Sequence, residues 1–118
     1  MNAYPIYTVI AEKLEAMVQL GNDNSRMKDF YDLDFLLARF ELDESVLCQA
    51  IRNTFERRRT PFPAAIPAAF SEEFVLSKAN LWSQFLQKNG LLESNRTWPA
   101  VLTGLREKLL PLLTNPRA

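Results

Sequence analysis

Between Thr8 and Phe40 the chain carries charged residues where a helix would bury apolar ones, and any fold must answer them. The stretch runs TVIAEKLEAMVQL, then GNDNS, then RMKDFYDLDFLLARF: two helical segments joined by a polar turn. At about 100° per residue, Val9, Ile10, Leu14, Ala16, Met17 and Leu20 form an apolar arc on the first segment, extended by Val18. Glu12, Glu15 and Gln19 fall opposite, but Lys13 falls near the middle of the arc. On the second segment Met27, Phe30, Tyr31, Leu33, Phe35, Leu36, Leu37, Ala38 and Phe40 cover most of the circumference, the pattern of a buried helix. Arg26, Asp29 and Asp34 project into that apolar girth, while Lys28, Asp32 and Arg39 share one polar stripe.

A buried charge must be paired or neutralised, because stripping its water is costly. Lys13, Arg26, Lys28, Asp29 and Asp32 are therefore expected to form one network or to line one cleft. Two readings follow. One is a structural ion-pair network that fixes how the helices cross. The other is the wall of an anionic-ligand site, with cations for phosphates and a carboxylate for a metal or a proton.

The rest of the chain continues in helical periods. Residues 1–7 contain Pro5 and predict an extended lead-in. Thr8 is placed to cap a helix to about residue 20, and Gly21 to end it. A second helix is expected over 26–40, after a turn of Asn22, Asp23, Asn24 and Ser25. Asp43 should cap a third, 44–58, with Val46, Leu47, Ala50, Ile51 and Phe55 on one face. Its Arg57-Arg58-Arg59 end suits the negative pole of the helix and predicts solvated cations. Pro61, Pro63 and Pro67 make residues 60–70 a stiff connector, which Phe62, Ile66 and Phe70 could pin across the bundle. A short helix over 71–76 is expected, then a second over 78–88 capped by Ser77 and stopped by Gly90. A last helix, 98–114, follows Thr97, with Pro99 in its first turn and Pro111 kinking or shortening it. No run alternates with period two. The expectation is an all-α fold, a single compact domain of five or six helices over residues 1–118.

Composition removes several functions. The 118 residues suffice for a hydrophobic core without disulfides or metals. Fourteen basic residues balance fourteen acidic ones, so direct nucleic-acid binding is not expected. Histidine is absent, which excludes His-dependent triads and His-ligated zinc. The single cysteine, Cys48, sits among apolar helix positions and is expected to be buried. It also fits a reducing cytosol. With three glycines there is no Gly-rich phosphate loop. No run is long enough to span a membrane, and no signal peptide is apparent; the sequence predicts a cytoplasmic protein.

The run AEKLEAMVQLG…SRMKDFYDL resembles the helical motif of the AbiEii/AbiGii-type nucleotidyltransferase toxins. These are a bacterial branch of the polymerase-beta-like nucleotidyltransferases, acting in abortive infection and type IV toxin–antitoxin systems. The matching residues are Glu12, Lys13, Arg26, Lys28, Asp29, Tyr31, Asp32 and Leu33. FELDESVLCQAIRNTFERRRTP and LWSQFL are similar to later helices of the same family. The resemblance implies catalytic roles for Lys13 and Asp29 and nucleotide contacts from Lys13, Arg26 and Lys28; Asp29 and Asp32, one helical turn apart, could offer carboxylates to a metal. It implies Mg²⁺ with a nucleoside triphosphate as cofactor. The family's catalytic half carries a Gly-Ser helix start and an Asp-x-Asp pair for magnesium; this sequence has no Gly-Ser dipeptide, and its Asp32 and Asp34 lie on a helix that already matches a different motif. The expectation is thus a truncated or split helical domain, catalytically incomplete alone. Its partner would be a second copy, a separate catalytic chain or an antitoxin. The alternative is a free-standing interaction or regulatory module, antitoxin-like, with no nucleotide site.

Overall fold

Pro5 opens the first helix instead of preceding it. In the computed structural model, which describes residues 5–21, 26–63, 67, 70–91 and 97–114, α1 spans Pro5–Leu20. The expected extended lead-in therefore does not include residues 5–7, and Thr8 is not the cap. Proline has its φ preset for a helix and needs no N–H partner in the first turn. Gly21 ends α1 at φ 55°, a left-handed conformation that costs glycine little. The turn predicted at residues 22–25 lies outside the described residues.

Four further helices follow: α2 Met27–Arg39, α3 Glu44–Arg57, α4 Glu72–Lys88 and α5 Trp98–Thr114. Caps explain most of the starts. Asp43 Oδ1 accepts from the backbone N–H of Ser45 at 2.8 Å and of Val46 at 3.3 Å. Ser71 Oγ accepts from Phe74 N–H at 3.2 Å, and Thr97 Oγ1 from Ala100 N–H at 3.2 Å. Each satisfies a donor that the helix itself leaves orphaned.

One expectation fails for a local reason. The predicted pair of helices over 71–76 and 78–88 is one helix, α4. Ser77 does not cap anything; its hydroxyl donates to the carbonyl of Phe74 at 3.3 Å, a bond made within a continuing helix. α5 takes Pro111 inside it and runs on to Thr114, the end expected for it.

The ends of α3 and α4 share one geometry. After α4, Gly90 N–H donates to Gln87 O at 3.3 Å and Leu91 N–H to Leu86 O at 2.8 Å, with Gly90 at φ 67°. After α3, Arg59 N–H donates to Glu56 O at 3.1 Å and Thr60 N–H to Phe55 O at 2.9 Å, with Arg59 at φ 57°. Both are Schellman closures, one with glycine in the left-handed position and one with arginine.

The five helices make a single all-α domain in which α2 touches three others. α1 packs chiefly on α3, α5 packs on α2 and α4, and α2 meets α1, α4 and α5. Ile10, Leu14 and Met17 of α1 are buried with Ile51 and Phe55 of α3. Phe30 of α2 lies 5.3 Å edge-on to Trp98 and 5.6 Å from Phe74, while Trp82 stacks on Trp98 at 5.0 Å. Phe62 meets Phe55 at 4.9 Å and Phe70 is buried, so both pin the connector. Ile66 lies outside the described residues. Cys48 is buried, as expected. Among the described residues no helix is long and apolar enough to cross a membrane.

Arg59 in a left-handed conformation carries strain that glycine would not. Arg59→Gly should therefore raise unfolding free energy by about 0.5–1 kcal/mol, after allowing for glycine's freer unfolded chain. Urea titration of the two proteins measures this, and an unchanged or lower midpoint would mean that the strain is balanced by contacts of the arginine itself.

Candidate functional site

The five charged residues singled out in the sequence converge where α1 crosses α2. Lys13 reaches across from α1, and its Nζ donates to Asp29 Oδ1 at 2.9 Å and lies 3.2 Å from Asp32 Oδ2. Asp29 and Asp32 stand three residues apart on α2, so one helical turn presents both carboxylates to the same ammonium. Lys28 Nζ donates to Asp32 Oδ2 at 2.7 Å. Arg26 Nε comes within 2.9 Å of Asp29 Oδ2, an ion pair without hydrogen-bond alignment. The cluster is graded in depth: the Asp29 side chain is 7% exposed, Lys13 22%, Asp32 24%, Arg26 59% and Lys28 75%.

This gradient separates the roles open to each group. Burial alone would lower the affinity of Lys13 for its proton. Hydrogen bonds and charge from Asp29, then Asp32, outweigh it and hold the ammonium above the ordinary lysine value of 10.5. Lys13 is thus a fixed cation rather than a proton acceptor at neutral pH. Arg26 and Lys28 extend into solvent, and the Lys28 ammonium, which carries three donors, can turn one toward an anion.

The donor set does not suit a resident magnesium ion. Asp29 and Asp32 are already answered by three cations, Lys13, Arg26 and Lys28, and a divalent ion between them would be repelled by all three. Among the described residues no three Asp, Glu or Cys side chains gather as a metal cluster.

A second ionic cluster, on the opposite flank of α1, escaped the helical wheel. Glu15 was expected to face solvent, yet it is fully buried. Its Oε1 accepts from Arg58 Nη1 at 3.2 Å and its Oε2 from Thr60 Oγ1 at 2.7 Å. Glu12 joins through Arg57 Nη2 at 3.2 Å and Arg58 Nη2 at 3.7 Å. The Arg57–Arg58 pair is therefore a clasp between α3 and α1, not a pair of merely solvated cations. The left-handed turn at Arg59 makes this possible by bringing Arg58 and Thr60 to the same carboxylate. The sequence signal that could have found it is the matched spacing of Glu12 and Glu15 with two arginines at a helix end.

Two grooves lie away from the Lys13 group. One, about 550 Å³, runs between α1 and α3 beside Tyr7, Gln49, Asn53 and Arg57. The other, about 300 Å³, lies at the ends of α2 and α5, where Leu37, Phe40, Leu47 and Leu112 share its lining with Glu44, Glu107 and Lys108.

A family-wide sequence profile described as "Nucleotidyl transferase AbiEii toxin, Type IV TA system" matches residues 1–104. No curated protein and no solved structure matches the chain.

Depth predicts the cost of each substitution. Lys13→Met takes from the buried Asp29 carboxylate its hydrogen-bonded cation, leaving the ion pair with Arg26, and should destabilise the fold by about 2 kcal/mol, somewhat under the cost of breaking a fully buried pair. Lys28→Ala, at an exposed pair, should cost under about 1 kcal/mol. The raised pKa of Lys13 also sets a pH window. Its stabilising contribution is fully present below about 10.5, the unfolded value, and is lost as pH rises through the higher folded value. The stability gap between wild type and Lys13→Met, measured by denaturant titration, should therefore narrow above about pH 10.5 and be flat from pH 6 to 9.

Proposed function

Since the chain belongs to the AbiEii nucleotidyltransferase toxin family, we propose that it is a helical nucleotidyltransferase-type domain whose Lys13 cluster is a wall for the phosphates of a nucleoside triphosphate. The observation that supports this reading is the graded depth of the cluster. Lys13 is held between Asp29 and Asp32, while Lys28, which shares Asp32 with it, is 75% exposed at the solvent edge. In this account Asp29 and Asp32 hold Lys13 in place, and Arg26 and Lys28 swing onto the phosphates. The fixed ammonium then faces the charge that grows on the transferring phosphoryl group.

The family's chemistry uses a nucleoside triphosphate with Mg²⁺. The Lys13 cluster supplies cations and not metal ligands, so we infer that the domain is catalytically incomplete alone. Magnesium ligands would come from another segment or a separate catalytic chain. A type IV toxin–antitoxin family also implies an antitoxin as a partner of the system.

A second reading, an interaction or regulatory module with no nucleotide site, is supported by exposed apolar side chains. Leu76 is 81% exposed, and Phe40, 49% exposed, lines the groove between the ends of α2 and α5.

Thermal melting with ATP, GTP, CTP and UTP, each with and without magnesium, separates the two. A triphosphate at a hundred times its dissociation constant adds about 2.7 kcal/mol, a rise of about 10 °C for a domain of this size. The expected result is a rise with at least one triphosphate that is absent in Lys13→Ala and reduced in Lys28→Ala, with no nucleotide incorporation by the chain alone. If no triphosphate moves the wild-type melting temperature, the phosphate wall is wrong and the interaction module stands.

A further inference from the structure

We propose that Tyr31 and Phe85, with Trp82 beneath them, form the shelf on which the base of the bound nucleotide stacks. The proposal rests on the phosphate-wall reading and adds the other half of the ligand. Three aromatic rings meet where α2 touches α4. Tyr31 lies 5.7 Å from Phe85 and 6.3 Å from Trp82, and Trp82 lies 5.7 Å from Phe85. Trp82 is buried, whereas Tyr31 and Phe85 are only partly so. The group therefore has an apolar floor and two rings that reach the surface.

Its position on α2 ties it to the phosphates. Tyr31 follows Lys28 by three residues, which puts their Cβ atoms about 5–6 Å apart on one face. Lys28 in turn shares the Asp32 carboxylate with Lys13. A triphosphate held by Lys28 thus has its nucleoside end on the side of α2 that carries Tyr31.

A separate observation concerns the buried ring of the group. Among the described residues the buried Trp82 Nε1–H has no hydrogen-bond acceptor. The other indole is satisfied, since Trp98 Nε1 donates to the carbonyl of Val75 at 2.9 Å. An orphaned buried donor is costly and uncommon. A base or ribose carries acceptors that an aliphatic ligand lacks. An aromatic shelf beside a cation cluster is the combination by which proteins hold a nucleotide through stacking and charge, with little readout of base identity.

The test compares ATP with inorganic tripolyphosphate, which has the charge and no base, by calorimetric titration of the whole chain. Wild type should bind ATP at least about tenfold more tightly than tripolyphosphate, the usual scale of one stacked base. Tyr31→Leu should bring that ratio close to one, and Tyr31→Trp should restore it. Phe85→Leu should lower it as well, and serves if Tyr31→Leu melts out of the usable range. Equal wild-type affinities for the two ligands, or a ratio unmoved by both leucine variants, would overturn the shelf and leave the phosphate wall intact. If neither ligand binds the wild type, the phosphate wall falls, and the shelf falls with it.

Discussion

Two buried carboxylates hold α1 from opposite flanks, and the arrangement of the other helices depends on them. Glu15 is fully buried and is answered by Arg58 and Thr60 beyond the end of α3. Asp29, on α2, is nearly as deep and is answered by Lys13 of α1. Hydrophobic burial has no direction. The arc of Ile10, Leu14 and Met17 would tolerate small rotations of α1 against its neighbours, whereas ion pairs would not. Residues 13 and 15 are about 200° apart on a helix, so Lys13 and Glu15 face nearly opposite ways. A rotation that improved one pair would break the other. Removing one member of either pair leaves an uncompensated charge out of water, which costs more than the pair itself contributes.

The same charges decide how much of the molecule was legible beforehand. Lys13 and Asp29 were visible because they interrupt apolar arcs, and such an interruption has to be paired. Glu15 was invisible because it lies on the polar side of α1 and looks solvated. Only a tertiary contact from α3 buries it. The helix ends divide in the same way. Gly90 announces a left-handed turn, whereas Arg59 adopts the same turn with nothing in its side chain to announce it. Ser77 shows the reverse error. A serine between apolar stretches suggests a cap, yet inside a helix already stabilised by the Phe74, Trp82 and Leu86 face, its hydroxyl simply bonds back one turn. Local chemistry sets which closures a residue permits, and packing chooses among them.

Comparing the two clusters separates a structural tie from a ligand wall by charge and depth. The Glu15 cluster is balanced, two carboxylates against two guanidinium groups, and its deepest oxygens are both occupied. An anion arriving there would have to displace a carboxylate from each arginine. In the Lys13 cluster the Lys28 ammonium stands at the solvent edge and shares the Asp32 carboxylate with Lys13. An anion there adds a partner without stranding one, because Asp29 and Asp32 keep Lys13 between them. Lys13 itself gains from staying, since its carboxylates more than offset its burial. A cation held this firmly loses little entropy when a phosphate approaches, which is the condition for electrostatic stabilisation to act on a transition state instead of being spent on reorganisation.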